Sequence, residues 1–339
     1  MAAKRFCCLF VLSLLSGNVV ATTSAAADWP AWRYNAARSA TSPDAIPETL
    51  SLQWIRQLAP PKPAWPEDPR LVFDGSYEPI VVGETLFLGS AQNDSVTAFD
   101  THTGAERWKF FAEGPVRFAP VSSENRVYFG SDDGCIYCLA NESGKLLWKF
   151  KAAPAARRVI GNDRMSSVLP IRGGPVLADG KLYFTVGVWP FEGTFLYWLD
   201  LQKIASGTAP ESAFGVVTLT DMTPQGYLVE SQGNLFIPCG RATVGLFDIE
   251  AEQIAPLAYD SRGLTDYFVT ASENWLFHGQ RVIDLETKAM LPINAPRPVS
   301  DGSKFYIAQG DNLVAADILK QPEPKPAKGN RSAAAPPAR

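Results

Sequence analysis

Short runs in which apolar and polar residues alternate, separated by turns that contain glycine, recur along most of the chain. The best preserved copy spans residues 127–150 (VYFGSDDGCIYCLANESGKLLWKF), and a close relative precedes it at 86–110. Both copies hold an apolar pair, a Gly-Ser, an alternating run, a second glycine turn and a tryptophan in the same order. Alternation with a period of two predicts strands, and the turns predict that these strands form antiparallel hairpins.

The apolar pair that opens the second strand of each copy occurs six times, at intervals of 41, 55, 53, 41 and 29 residues, which is a period near 40. The pairs are Leu86-Phe87, Val127-Tyr128, Leu182-Tyr183, Leu235-Phe236, Leu276-Phe277 and Phe305-Tyr306. The prolines placed to begin a first strand, where a missing N–H is tolerated, are Pro79, Pro120, Pro175 and Pro298. The residues that close the third strand are Asp100, Ala140, Asp200, Asp248, Asp284 and Asp317.

Units of four short strands at this period predict an all-β fold, a β-propeller of four-stranded blades. Six blades follow if the predicted strand at 50–58, centred on Trp54, completes the last unit, which ends after three strands. That pairing would close the ring without a free sheet edge. Seven blades follow if residues 151–178 add one, and an open partial ring follows if the chain is truncated. Helical content is expected to be small, with at most a turn at 199–205.

The two ends of the chain differ from the repeats in composition. Residues 1–27 resemble a secretory signal: Lys4 and Arg5 precede a short apolar core, and Ala25-Ala26-Ala27 forms a small-residue cleavage site. We therefore expect an exported protein, periplasmic or extracellular, that begins at Asp28; the alternative is a retained N-terminal anchor. The predicted parts are a signal at 1–27, an N-terminal segment with the closing strand at 28–70, the propeller at 71–320, and a disordered Pro/Ala/Lys-rich tail at 321–339.

Charge narrows the classes of partner. The formal net charge is −4 and the pI is about 5.4, so the sequence gives no electrostatic argument for binding nucleic acid or an anionic membrane. No stretch after the signal is long and apolar enough to cross a membrane. We expect a monomer that binds a protein, peptide or glycan in the cell envelope.

The sequence at 127–150 resembles the pyrroloquinoline-quinone-type (PQQ-like) propeller repeat. That repeat is seen in quinoprotein alcohol dehydrogenases and in the propeller lipoprotein of the outer-membrane assembly machinery. Further stretches resemble large secreted proteins of this class: GPVRFAP, RRVIGNDR, RGGPV and WPFEGTF. The resemblance implies a propeller fold, but it does not imply one activity, because many members bind no quinone.

The same resemblance offers an alternative function, a PQQ-dependent oxidoreductase or the propeller domain of a longer enzyme. Quinoprotein dehydrogenases bring a disulfide between adjacent cysteines, a calcium site and an aspartate base. The only adjacent cysteines here are Cys7-Cys8, inside the signal. We therefore assign no catalytic residue and expect no cofactor, with PQQ and calcium only under the alternative.

The segment 151–174 interrupts the period and is rich in arginine, which suits binding to carboxylate or phosphate groups. With flanking residues it gives a candidate ligand site for an acidic ligand or an acidic partner segment: Arg117, Arg157, Arg158, Asn162, Arg164, Arg172 and Trp189. The alternative is a structural loop whose arginines pair with aspartates: Asp132, Asp133, Asp163 and Asp179.

Other residues that could carry chemistry are better explained by structure. Cys135 and Cys138 form a CxxC, but on a strand side chains three apart point to opposite faces. Asp132-Asp133-Gly134 lacks the spacing of a calcium loop and predicts a hairpin turn. His102 and His278 have no matching ligand set, so no metal site is predicted. Trp108 and Trp148 stand at equivalent repeat positions and are predicted to pack between blades.

Overall fold

The computed structural model describes residues 28–68, 72–152, 157–161, 164–240, 244–256, 266–272, 274–279, 281–287, 289–292, 298–301 and 304–317. The predicted signal at 1–27 and the predicted tail at 321–339 lie outside these residues, as do Asn162 and Asp163.

Six antiparallel sheets of consecutive strands follow one another along the described chain. The first contains β1 (Ile80–Val82), β2 (Thr85–Ser90), β3 (Ser95–Asp100) and β4 (Glu106–Phe111). The second contains β5 (Val121–Ser123), β6 (Arg126–Gly130), β7 (Cys135–Ala140) and β8 (Leu146–Lys151). A separate hairpin, β9 (Arg158–Gly161) and β10 (Arg164–Ser167), and the short β11 (Gly173–Gly174) come next.

The third sheet contains β12 (Val176–Ala178), β13 (Lys181–Val186), β14 (Phe195–Asp200) and β15 (Phe214–Thr218); α1 (Leu201–Ala205) and a 3-10 turn (Pro210–Ser212) join its last two strands. After β16 (Gly226–Tyr227), which pairs in parallel with β11, the fourth contains β17 (Val229–Ser231), β18 (Asn234–Ile237), β19 (Gly245–Asp248) and β20 (Gln253–Ala255). The fifth contains β21 (Val269–Ser272), β22 (Trp275–His278), β23 (Arg281–Asp284) and β24 (Met290–Pro292). The sixth contains β25 (Val299–Ser300), β26 (Lys304–Gln309) and β27 (Asn312–Asp317).

This register confirms the repeat read from the sequence. All six predicted apolar pairs lie in the second strand of a sheet, and all six predicted closing residues end a third strand. Each of the four prolines immediately precedes a first strand. The only α-helix among the described residues is the five-residue α1, inside the stretch predicted to hold at most a turn. Residues 158–167 form a two-stranded hairpin and not an additional four-stranded blade.

The core lies between neighbouring sheets. Tyr128 and Ile136 of the second sheet pack with Leu182 and Phe184 of the third. Further buried clusters join the first sheet to the second, the third to the fourth, the fourth to the fifth and the fifth to the sixth. No such cluster within the described residues joins the sixth sheet to the first.

The predicted strand at 50–58 is not formed in the described structure: these residues make no strand pairing, and β27 has no fourth strand beside it. Trp54 instead packs on the turn between β3 and β4, where its indole N–H donates to the Thr101 carbonyl at 2.7 Å. Trp108 of β4 makes the equivalent bond to the Asn141 carbonyl of the second sheet at 2.8 Å. Trp54 therefore occupies the position of a fourth-strand tryptophan although its backbone is not paired.

An N-terminal segment, residues 29–41, makes hydrogen bonds to the first strand of every sheet or to the residue just before it. The bonded pairs, in sheet order, are Trp29 with Val81, Pro30 with Ser122, Arg38 with Pro175, Ala36 with Glu230, Ala37 with Ala271, and Thr41 with Ser300. Trp32 is buried in the same segment and stacks on Tyr227 at a centroid distance of 4.0 Å. One short stretch of chain therefore contacts all six sheets at or just before their first strands.

Candidate binding site

Four of the predicted site residues border one cavity of about 250 Å³, here called the arginine cavity: Arg117, Arg164, Arg172 and Trp189. Its lining comes from the loops that follow β4, β6 and β13, from the β9–β10 hairpin and from residues near 64. Arg157 and Arg158 border a separate, smaller cavity of about 140 Å³. Asn162 lies outside the described residues.

The floor of the arginine cavity is a buried network of two arginines and two aspartates. Arg117 donates from Nε to Asp132 Oδ2 at 2.6 Å and from Nη1 to Asp74 Oδ2 at 2.7 Å. The Ala64 amide also donates to the Asp74 carboxylate. Both aspartate side chains are 1% exposed. Burial raises the pKa of Asp74, although Arg117 opposes the shift.

Arg172 completes this network from the strand-like stretch that leads into β11. Its Nη2 donates to Asp132 Oδ2 at 3.1 Å, and its Nε lies 3.0 Å from Asp132 Oδ1. Its backbone is fixed by bonds to Thr185 and Gly226, and its guanidinium lies 5.8 Å from the centroid of the Phe73 ring. Burial lowers the pKa of Arg172. Its Nη1 and Nε are both buried and make no hydrogen bond of acceptable distance and angle within the described residues, so the Nε–Asp132 contact is an ion pair only.

The remaining predicted arginines also have acidic partners. Arg164 bonds to Asp94 and to the Gln92 carbonyl, Arg157 to Glu192, and Arg158 to Glu113. The alternative interpretation, in which arginines pair with aspartates, is therefore confirmed for Asp132. Asp133 instead accepts from the Tyr137 hydroxyl and the Cys135 amide. The two aspartates lie in the β6–β7 turn, as predicted, with Gly134 at φ 84°.

Aromatic side chains form the upper wall of the arginine cavity, here called the aromatic rim: Trp65, Trp189 and Phe191. Trp65 and Trp189 pack edge to face at 5.9 Å, and Trp189 stacks on Phe191 at 6.3 Å. Trp65 is held by a 2.8 Å bond from its indole N–H to Gln225. Phe191 is 81% exposed, so the rim faces solvent.

Sequence reasoning found Trp189 but missed Trp65, Phe191 and Asp74. Phe191 could have been found from the motif WPFEGTF, since an aromatic beside a Trp-Pro turn has no place in the strand alternation. Asp74 and Trp65 lie in a Pro-rich stretch without periodicity, so no local signal ties them to residues more than 40 positions away.

The other candidate chemistry lies elsewhere. Cys135 and Cys138 are free, buried thiols on β7, and burial raises the pKa of each to about 12. They are residues of the sheet core, as predicted. His278 is fully buried in β22, and burial lowers its pKa to about 4. Trp108 of the first sheet packs against Gly144 of the second, and Trp148 packs against the buried cluster shared by the second and third sheets, as predicted for residues between blades.

The described residues contain neither a metal-binding cluster nor a membrane-spanning helix. No group of three or more His, Cys, Asp or Glu side chains is arranged to hold a metal ion. No helix in the same part of the chain has both the length and the apolar character needed to span a bilayer.

Three solved structures are similar: BamB from Moraxella catarrhalis (15% identity, 69% of this chain and 79% of that one, TM-score 0.38), a europium-containing methanol dehydrogenase (14%, 86% and 62%, 0.49), and quinohemoprotein alcohol dehydrogenase ADHIIG from Pseudomonas putida HK5 (14%, 71% and 41%, 0.44). No curated protein matches the chain.

The family comparison covers the first two repeats and the beginning of the third. Residues 16–186 match the family model described as outer membrane protein assembly factor BamB. This stretch is half of the chain and includes both best preserved copies of the repeat. The chain therefore belongs to the PQQ-like β-propeller family of the BamB type.

Proposed function

We propose that this protein is an exported β-propeller that acts as a binding scaffold in the cell envelope, and that its partner binds across the aromatic rim. The observation that carries the proposal is an exposed apolar surface around the arginine cavity. Phe191 is 81% exposed, and on the adjoining β9–β10 hairpin Ile160 is 80%, Met165 52% and Val159 46% exposed. Exposed apolar patches that contain aromatic residues and methionine are typical of protein interfaces.

The position of this surface supports a role in binding a partner. The hairpin β9–β10 interrupts the repeat and contributes to no blade, so it adds little to the sheet core. Arg164, which pairs with Gly161 at the turn end of the hairpin, bonds to Asp94 in the β2–β3 loop of the first sheet. Insertions held on a rigid scaffold are where binding commonly resides.

A photo-reactive amino acid placed at position 191 of the full chain, in the cells that make the protein, tests the proposal. We expect a covalent adduct of defined mass, whose fragments identify a protein, peptide or glycan. The same residue at position 111 is the matched control, because Phe111 at the end of β4 is 66% exposed but does not border the cavity. Equal labelling from both positions would argue against a specific surface at the rim.

The proposal that the protein is exported is tested by a separate measurement. The mature protein recovered from the envelope should begin at Asp28, as mass spectrometry of its N-terminal peptide would reveal. A mature chain that retains residues 1–27 would instead indicate the retained anchor.

The alternative function is a quinoprotein oxidoreductase, but the described residues do not fit a quinone and calcium site of the kind that the resemblance implies. The free thiols Cys135, Cys138 and Cys239 are not adjacent, and none borders the arginine cavity. Addition of pyrroloquinoline quinone and calcium to the purified protein, followed by absorbance and dye reduction, tests this alternative. A bound chromophore with dye reduction would replace the scaffold proposal.

We also infer a closed six-bladed ring in a monomer. The contacts of residues 29–41 with all six first strands support it, since a single short segment reaches them together only if they surround an axis. The docking of Trp54 supports placing residues 50–58 as the outer strand of the sixth blade.

A further inference from the structure

The β9–β10 hairpin has two faces, and only one of them borders the arginine cavity. Its strands pair in antiparallel register, so the side chains of alternate pairs point to the same side. The residues of two alternate pairs border the arginine cavity: Val159, Gly161, Arg164 and Ser166. The pair between them, Ile160 and Met165, therefore projects on the other side, here called the outer face, where the two side chains are 80% and 52% exposed.

A second cavity, here called the basic cavity, adjoins the outer face. Its charged lining residues are Glu113, Asp133, Lys149, Lys151, Arg157 and Arg158. Arg158 connects it to the apolar pair, because Arg158 Nη1 lies 3.8 Å from Met165 Sδ. The volume of about 140 Å³ is far below the roughly 300–1,000 Å³ of sites for drug-sized ligands. The cavity therefore suits a single small polar group.

Two cations of the basic cavity share one carboxylate. Glu113 Oε1 lies 2.7 Å from Lys149 Nζ, and Glu113 Oε2 lies 2.7 Å from Arg158 Nη2. These bonds hold the pKa of Glu113 below its usual value, so the carboxylate stays ionised. Asp133, the other carboxylate of the lining, accepts from neutral donors, which are the Tyr137 hydroxyl and a backbone amide.

Lys151 leaves one positive charge of the basic cavity uncompensated. It is exposed at the end of β8 and forms no ion pair within the described residues, and the undescribed residues 153–156 next to it contain no acid. Arg157 is neutralised by Glu192 from outside the lining, so four cations face three carboxylates in all. One monoanion restores the balance, whereas a phosphate group, at about −1.5 to −2, would exceed it. A carboxylate is therefore the favoured ligand.

We propose that a carboxylate side chain of a partner protein enters the basic cavity and bonds to Lys151 and Arg158, while an apolar residue beside it in the partner packs on Ile160 and Met165. A peptide carboxylate is favoured over a free one because only a peptide also covers the adjoining apolar pair. Burial of that pair supplies affinity, and the charge supplies specificity for an acidic segment. This inference rests on the proposed scaffold function and names the chemistry of its partner.

Titration of the full mature chain with N-acetyl-leucyl-glutamate α-amide, which has one side-chain carboxylate and one apolar side chain, tests the inference. We expect saturable binding with a Kd of about 1–10 mM, which is ordinary for a dipeptide. The matched probe N-acetyl-leucyl-glutamine α-amide has the same shape without the charge and should bind about three- to fivefold more weakly. By NMR, the methyl signal of Met165 should shift while that of Met290 does not. Added salt should reduce the difference between the probes.

Changes in the protein provide the complementary arm. Lys151→Gln removes the uncompensated charge and breaks no ion pair of the described residues, so the fold should be kept. It should reduce the preference for the glutamate probe to about twofold or less. Lys145→Gln, which removes an exposed charge just before the other end of β8, is the matched control and should leave the preference unchanged. Ile160→Ser should weaken both probes several-fold without changing their ratio.

Three results would overturn the inference: no saturable binding of the glutamate probe, equal affinities for the two probes, or equal effects of Lys151→Gln and Lys145→Gln. Binding of the phosphoserine counterpart more than about tenfold tighter than the glutamate probe would also overturn it, in favour of a phosphorylated partner. A specific adduct at position 191 without a glutamate preference would refute this inference and leave the scaffold proposal standing, because Phe191 borders the other cavity. A glutamate preference without an adduct at position 191 would do the reverse.

Discussion

At the scale of single residues, the polar groups that matter most are fully buried and bonded over long sequence distances. Arg38 is 0% exposed and donates to the carbonyls of Trp32, Pro175 and Leu228. Its guanidinium also lies 5.5 Å from the ring centroid of Tyr227. One side chain thus satisfies carbonyls that belong to the N-terminal segment and to the entries of the third and fourth sheets.

His278 is the residue with the clearest pH signature. An unfolded histidine titrates near pH 6.5, whereas burial lowers the pKa of His278 to about 4 in the folded protein. Its contribution to stability is present above pH 6.5 and is lost as the pH falls towards 4, because only the unfolded chain takes up the proton in this interval. From about pH 7.5 to about pH 5, we expect it to lower the free energy of unfolding by about 2 kcal/mol.

The measurement is urea unfolding of the protein and of His278→Gln at both pH values. The variant should be less stable at neutral pH but should lose about 2 kcal/mol less on acidification. The control variant is His102→Gln, because His102 is exposed in the β3–β4 turn. It should lose as much stability on acidification as the unaltered protein does. Parallel pH profiles for the unaltered protein and His278→Gln would refute the assignment.

At the scale of elements, one contact occurs twice and is here called the tryptophan joint. In it, a tryptophan packs on the glycine turn between the third and fourth strands of the sheet that follows it in the chain. Gly104 and Gly144 have φ values of 67° and 65°. A Cβ on either glycine would come within 2.6 Å of the ring of Trp54 or Trp108, respectively. Each turn therefore requires glycine for two reasons: its backbone is left-handed, and the indole ring approaches too closely for a Cβ.

Gly104→Ala should therefore cost more stability than the left-handed backbone alone would explain, because the added Cβ would also collide with the Trp54 ring. Gly83→Ala is the matched control, since Gly83 has φ 55° and open space where the Cβ would stand. We expect about 1 kcal/mol for Gly83→Ala and at least about 2 kcal/mol for Gly104→Ala, measured by denaturant unfolding. In a Trp54→Ala background the two substitutions should cost the same, and a difference that persists there would exclude Trp54 as its cause.

The sequence predicted elements well where local pattern determines them. Prolines before first strands, apolar pairs in second strands and aspartates at the ends of third strands depend on alternation and turn chemistry within about ten residues. The Asp74–Arg117–Asp132–Arg172 network depends on loops from separate sheets, so its residue types were visible but its pairing was not. The strand predicted at 50–58 is not paired in the described structure, because an alternating pattern indicates a capacity to pair, whereas pairing needs an adjacent edge.

At the scale of the whole molecule, two unpaired features are complementary. The outer edge of β27 has no strand partner among the described residues, and Leu313 on it is 76% exposed. Residues 50–58 likewise form no strand, and Leu50, Leu52 and Ile55 are 75–77% exposed. Exposed strand edges are prone to pair with other chains, and pairing these two would remove the edge and bury apolar surface.

Trp54 limits how this pairing can occur. Its indole is hydrogen-bonded to the first sheet in the way that the Trp108 indole is bonded to the second. Trp108 itself belongs to the fourth strand of the sheet that precedes the one on which it packs. By the same relation, the proposed ring of six would place Trp54 in the outer strand of the sixth blade. The tryptophan joint thus favours one blade for residues 50–58, whereas the strand alternation favours none.

Hydrogen exchange of the β27 amides tests closure directly. In β27, the amides that do not bond to β26 should exchange slowly in solution if residues 50–58 pair with them, and at nearly the unprotected rate if the edge is open. Ile55→Pro removes a donor within the pairing segment and should expose those amides. Ala59→Pro, just before Pro60, is the matched control and should leave them protected. Fast exchange in the unaltered protein would mean that the ring is open at this position, and that the N-terminal segment alone holds the sixth blade beside the first.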